Sequence, residues 1–263
     1  MPRGYPAKLA RPHGFLRCCC ILIVSTLLLC QITESRVHLA GDQAPSTTRL
    51  HQWGAVTLFH GLPSDHVRAI AQDSSGMMWF GTDGGLVKYD GRRIQKMAND
   101  GPAAAQVLSL KTDSEGVLWI GSDAGAARLI NGETRPISET QGSAVTAIIT
   151  LEAGGAFMTS AQGELFACDI TKDGKVAVRK VGPEDHPLLK IESKGHEPLH
   201  LTSLALVDNS LIVGTRKRGL IVVDANTMEA GATTSPDFIK EIQSRPRPFF
   251  VEAIETDARG RLW

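Results

Sequence analysis

The chain has 263 residues, 42% hydrophobic and 21% charged, with 28 basic residues balancing 28 acidic ones. This is too apolar for a disordered chain and ordinary for a globular one. Four cations and no acid fall in residues 1–17, so the rest is mildly acidic. It lacks the clustered basic surface that nucleic acid requires.

Taken in chain order, Arg3, Lys8, Arg11 and Arg17 precede an apolar run at 18–30, CCCILIVSTLLLC. Thirteen residues fall short of the roughly 20 that span a bilayer and suit the core of a secretory signal. Thr33 and Ser35 supply small residues for cleavage after Ser35. Residues 1–35 are therefore expected to be a signal peptide or N-terminal anchor, with a linker over 36–54. A lipoprotein site at Cys30 is disfavoured by Leu29, and a buried core helix would not explain the basic flank. Four of the five cysteines lie here, leaving Cys168 alone in the body. No intrachain disulfide can form there, and Cys168 reads as a small buried apolar residue.

The body repeats. Residues 67–83, VRAIAQDSSGMMWFGTD, align without gaps with 107–123, VLSLKTDSEGVLWIGSD, and a third copy opens at 251–263, VEAIETDARGRLW. Equivalent positions are Asp73, Gly76, Trp79 and Gly81; Asp113, Gly116, Trp119 and Gly121; Asp257, Gly260 and Trp263. Two degenerate copies lie between, with Phe157 and Ile212 at the tryptophan place. In the first copy, strands are expected at 67–71, 77–81, 86–89 and 94–97. The intervening Asp and Gly residues supply the turns, Asp by capping its own backbone and Gly by reaching positive φ. Four short strands per roughly 40 residues make one propeller blade.

The predicted fold is thus all-β, a β-propeller of four-stranded blades. Four repeats and the start of a fifth are expected near 55–100, 101–140, 141–195, 196–245 and 246–263, with the ring incomplete. Each tryptophan should fill the wedge between blades, where burial is worth about 2–3 kcal/mol. Gly81, Gly121 and Gly214 should permit close approach near the axis. Residues 55–59, AVTLF, resemble an outer strand placed to latch the ring. The chain ends in mid-strand at Trp263, which suggests a fragment of a longer protein.

The stretch 61–91, GLPSDHVRAIAQDSSGMMWFGTDGGLVKYDG, resembles the two-component regulator propeller repeat. The likeness rests on Gly-Leu-Pro, Asp-x-x-Gly, Trp-Phe-Gly-Thr and the Gly-Gly-Leu before an aromatic-Asp-Gly. The second copy lacks Gly-Leu-Pro and has Ala126 for the leucine. The resemblance implies the periplasmic input region of a sensor histidine kinase, with an immunoglobulin-like module, membrane helix and kinase beyond this chain. Some relatives end in a diguanylate cyclase or carry a DNA-binding output. It further implies a periplasmic ligand, carbohydrate among the candidates, a homodimeric receptor, and attachment to the inner membrane through the N-terminal segment or a later helix. No kinase motif is present, so no catalytic residue carries over.

Other chemistry is weighed and set aside. His196-Glu197-Pro198-Leu199-His200 fits the zinc-protease pattern, which needs a helix. Pro198 disfavours that helix by about 3 kcal/mol, so a polar loop is expected and His196, Glu197 and His200 are rejected as ligands. One carboxylate per Asp-x-x-Gly turn is too few for calcium, and no phosphate loop precedes a helix. The segment 171–200 reads as a long solvated loop, with a ligand or partner loop as the functional alternative. Arg216-Lys217-Arg218 reads as a turn and Arg245-Pro246-Arg247-Pro248 as a stiff connector. No catalytic, cofactor or metal site is expected. The functional expectation is a sensor propeller; the alternative is a secreted propeller lyase or hydrolase, which would need convergent histidines or acids at the channel mouth.

Overall fold

A computed structural model describes residues 58–97, 100–183, 199–229, 250–257 and 261–263, all within the unit Ala55–Trp263. The targeting segment 1–35, the linker 36–54, His196, Glu197, Gly260 and the connector 245–248 lie outside the described residues.

The architecture is an arc of antiparallel sheets. Blade one is β1 (Val67–Gln72), β2 (Met78–Thr82), β3 (Gly85–Tyr89) and β4 (Ile94–Lys96), hydrogen-bonded in that order. Blade two is β5 (Val107–Thr112), β6 (Leu118–Ser122), β7 (Gly125–Ile130) and β8 (Glu133–Ile137). Blade three is β9 (Val145–Thr150), β10 (Ala156–Ser160), β11 (Leu165–Ile170) and β12 (Val176–Val181). Blade four shows β13 (Leu201–Val207), β14 (Ser210–Thr215) and β15 (Gly219–Asp224). A bridge between Thr256 and Leu262 opens the fifth. The inner strands β1, β5, β9 and β13 pack side by side in chain order, and no sheet among the described residues closes the ring. This is a β-propeller fold.

The meander follows from the turns. In blade two the Asp113 carboxylate accepts the Glu115 and Val117 N–H groups at 3.0 and 2.9 Å. Gly116 takes φ +81°, a region that L side chains rarely adopt. The hairpin therefore reverses where the sequence says it must. Near the start of each inner strand the register slips, between Val67 and Ala69, Val107 and Ser109, and Leu201 and Ser203. Such bulges bend the strand and raise its twist, which suits an edge beside an axis.

The core lies between blades. Trp79 packs with Leu110, Leu118 and Leu129 of the next sheet. Trp119 does the same with Ile148, Met158 and Phe166, and Phe157 with Leu204, Leu211 and Val213. Ile212 meets Ile254. The indole wedges expected from the repeat are occupied at Trp79 and Trp119, and aliphatic or phenyl groups substitute in the degenerate blades.

Three features differ from the sequence reading. Leu58–His60 is a 3-10 turn, not part of a strand. Asp65 accepts the Leu58 N–H at 3.0 Å and Gly61 N–H closes onto Leu58 O at 2.9 Å, folding the segment back on itself. Val176–Val181 is the outer strand of blade three, not loop. Its Val-Ala-Val alternation pairs with β11 after a turn in which Gly174 N–H reaches Thr171 O at 2.8 Å. Trp263 is 74% exposed, because no sheet among the described residues closes over it.

Candidate functional site: the channel along the inner strands

In blades one, two and five the geometry starts at one aspartate. In blade one, Asp73 Oδ1 accepts the Ser75 and Met77 N–H groups at 2.9 and 3.1 Å. Its Oδ2 accepts the Trp79 indole N–H at 2.9 Å. Asp113 holds Trp119 in the same way at 2.9 Å, and Asp257 faces the Trp263 indole at 3.5 Å while accepting the Arg261 N–H at 3.0 Å. Burial alone would raise the Asp73 pKa; the hydrogen bonds from Ser75, Trp79 and Met77 outweigh it and hold the carboxyl below its usual range. These carboxylates are thus occupied in positioning indoles. The six-residue Asp-to-Trp spacing, present in three copies, was the sequence signal for this pin.

The glycine two residues after the indole lets the next blade approach closely. A Cβ on Gly81 would stand 2.5 Å from Val107 Cγ1, and one on Gly121 only 2.7 Å from Val145 Cγ1 and 2.8 Å from its carbonyl oxygen. Gly214 bears the same relation to Val251, at 2.8 Å. Blade three has Thr159 at this place, yet Thr146 donates its hydroxyl to Leu201 O across the seam at 2.8 Å. Ser109 reaches Val145 O at 3.2 Å, and Thr202 donates to Val251 O. After each close-approach residue a buried hydroxyl ties the following turn: Thr82 donates to Gly85 O at 2.8 Å, Ser122 to Gly125 O at 2.9 Å and Thr215 to Gly219 O at 3.0 Å. Thr82 belongs to the Trp-Phe-Gly-Thr motif, but nothing in the sequence marks its hydroxyl, or those of Ser122 and Thr215, as a tie for the turn.

The seams carry other groups the sequence did not announce. Buried Arg128 lies over the Trp119 ring at 5.0 Å and donates to Gly174 O of blade three at 3.4 Å. Burial lowers its pKa. At the blade one–two rim, Asp83 gathers Arg68, Gln106 at 2.8 Å and His66 at 3.3 Å. Cys168 is buried, which pushes its thiol up to about 12.

The inner strands β1, β5, β9 and β13, with residues 252–256, line an open concave cavity of about 1130 Å³. Its wall is mixed. Small and aliphatic positions alternate with hydroxyls at Thr112, Thr150 and Thr256. Its charged groups are Lys111 from blade two, against Glu152, Asp208, Glu252 and Glu255 from blades three, four and five. Lys111 Nζ and Glu255 Oε1 face each other at 3.9 Å. No histidine lines the cavity among the described residues.

Of the three rejected zinc ligands, only His200 is described. It precedes β13, its carbonyl accepts the Arg216 N–H at 3.0 Å, and burial followed by Arg216 and Lys217 lowers its ring pKa. No group of three or more potential metal ligands gathers among the described residues. Arg216 to Arg218 form the β14–β15 turn, with Thr215 Oγ1 accepting the Arg218 N–H at 2.8 Å. No helix of the described residues is long and apolar enough to cross a membrane.

Comparison with solved structures agrees with this geometry. The chain is similar to virginiamycin B lyase from Staphylococcus aureus, at 17% identity and TM-score 0.52, over 75% of this chain and 62% of that one. It is similar to the Cps50 (Swd1) β-propeller domain of Myceliophteria thermophila, at 17% identity and TM-score 0.56, over 76% and 62%. The extracellular domain of a putative hybrid two component system from B. thetaiotaomicron aligns at 17% identity and TM-score 0.40, over 75% and 30%. The chain spans less than two thirds of each of these proteins. At such identity the likeness concerns fold, and the class is that of β-propellers. No curated protein matches the chain. Residues 61–84 match the two component regulator propeller family. The matched residues contain β1 and β2 of blade one.

Proposed function

We propose that this chain is the ligand-sensing propeller of an exported two-component receptor, delivering its signal to a membrane-bound histidine kinase. The observation that carries the reading is the match of residues 61–84 to the two component regulator propeller. It is supported by the basic-then-apolar segment at 3–30, which has the form of an export signal, and by a channel wide enough to take a small ligand. The receptor is held to the inner membrane by that segment or by a later helix and works as a homodimer.

The blades supply rigidity and the channel supplies recognition. A ligand shifts the transmitter only by the difference in its affinity for two receptor states. Seams built from indoles, glycines and single hydroxyls are suited to that, since each is a discrete packing arrangement.

Two measurements test the reading. Residues 1–54 fused to a reporter active only outside the cytoplasm should give an active fusion. The reading frame beyond Trp263 should continue into a membrane helix and a transmitter; a stop directly after the last blade would overturn the receptor.

A further inference from the structure

We infer that the channel receives a zwitterion of the amino-acid or short-peptide class, its carboxylate at Lys111 and its ammonium at Glu255. This deepens the sensing role and rests on the channel being the sensing site. The fifth residues of the four inner strands, Ala71, Lys111, Ile149 and Ala205, and Glu255 at the equivalent position of the fifth repeat all line the wall. Three blades place an uncharged side chain there. The two that do not are blades two and five, which are not neighbours, yet their charges meet across the cavity.

That pair does little for the fold. Its 3.9 Å separation is too long for a hydrogen bond, and the two side chains are 45% and 76% exposed. Both groups remain available to a ligand. The remaining charges give the cavity a direction. Among the described residues that line it, the one cation stands on blade two, whereas the carboxylates come from blades three to five. Two of these arise where the repeat departs from its own rule. Leu151 and Val207 occupy the place of Asp73, and the acids Glu152 and Asp208 follow one residue later, exposed at the channel mouth and outside the turn-capping role.

A wall that is positive on one side and negative on the other complements a dipolar ligand. A neutral sugar gains nothing from that field, a diamine is opposed by Lys111, and a dicarboxylate is opposed by four acids. Ile149 and Leu206 offer an apolar surface for a side chain. The volume of about 1130 Å³ exceeds a single amino acid and leaves room for a dipeptide.

The test is calorimetric titration of the exported chain with alanylalanine, its N-acetyl and C-amide forms, 1,4-diaminobutane, succinate and glucose. Alanylalanine should bind, and blocking either end should weaken it at least tenfold. Lys111→Met and Glu255→Gln should each weaken it at least tenfold with no change in unfolding midpoint, since both side chains are solvated. Absence of binding at millimolar alanylalanine, equal binding of a blocked form, or indifference to both substitutions overturns the inference. Saturable binding of glucose alone also overturns it and leaves the sensing role standing. A reading frame without a transmitter removes the sensing role whatever the channel binds.

Discussion

Trp119 is fully buried and is held at both ends, by Asp113 on its indole nitrogen and by Arg128 over its ring. Replacing it with alanine removes the plug between blades two and three. Trp119→Ala should cost about 3–5 kcal/mol of unfolding free energy in urea titration; a loss below 1 kcal/mol would deny the wedge. Asp73 makes a different demand, because its folded pKa lies below its ordinary value of 3.8. A lowered carboxyl lends stability that is fully present above its unfolded pKa and lost as pH falls through the folded one. Wild type should therefore lose stability more steeply below about pH 4 than Asp73→Asn, whose amide does not titrate there. Parallel acid-unfolding profiles would contradict the pin. The recurrence of these tryptophans and aspartates was legible in the sequence. That the second carboxylate oxygen meets the indole was not, since spacing gives proximity along the chain and no direction in space. Arg128 was invisible for a similar reason: its equivalents are Lys88 and Ala167, so no repeat flagged it.

At the scale of elements, the seam between blades depends on small residues at the end of each second strand. Gly121→Ala should cost about 1–3 kcal/mol through overpacking, because the new methyl would press on Val145 and its carbonyl. Gly121 itself does not adopt a positive φ, so the loss would report contact and not backbone strain. Measured by thermal unfolding, an unchanged midpoint would show that the blades stand further apart. The regular blades were readable because turn chemistry and strand periodicity agree in them. Blade three's outer strand was missed because Val176–Val181 follows a polar turn and carries Arg179 and Lys180 on its exposed positions. The latch expected at 55–59 failed over Leu58 and Phe59 for a local reason. Asp65 and Gly61 offer that backbone a closed turn in place of a ladder.

Across the whole molecule, equivalent positions reveal the open arc. Leu110, Ile148, Leu204 and Ile254 are each 9% exposed or less, whereas Ile70, the same position in blade one, is 59% exposed. The difference lies in neighbours: each of the four has a preceding blade against it, and Ile70 has none among the described residues. The repeat announced this arrangement, and the channel's charge asymmetry emerged only when five separated segments were brought to one axis. Everything functional depends on that shared axis. Its most direct test is fluorine NMR of the chain labelled with fluorotryptophan, assigned by single substitutions, in the presence of a soluble paramagnetic probe. Trp79 and Trp119, 7% and 0% exposed, should be shielded from the probe, while Trp263 at 74% should be strongly broadened. Equal broadening of Trp119 and Trp263 would contradict the packing of successive blades around one channel.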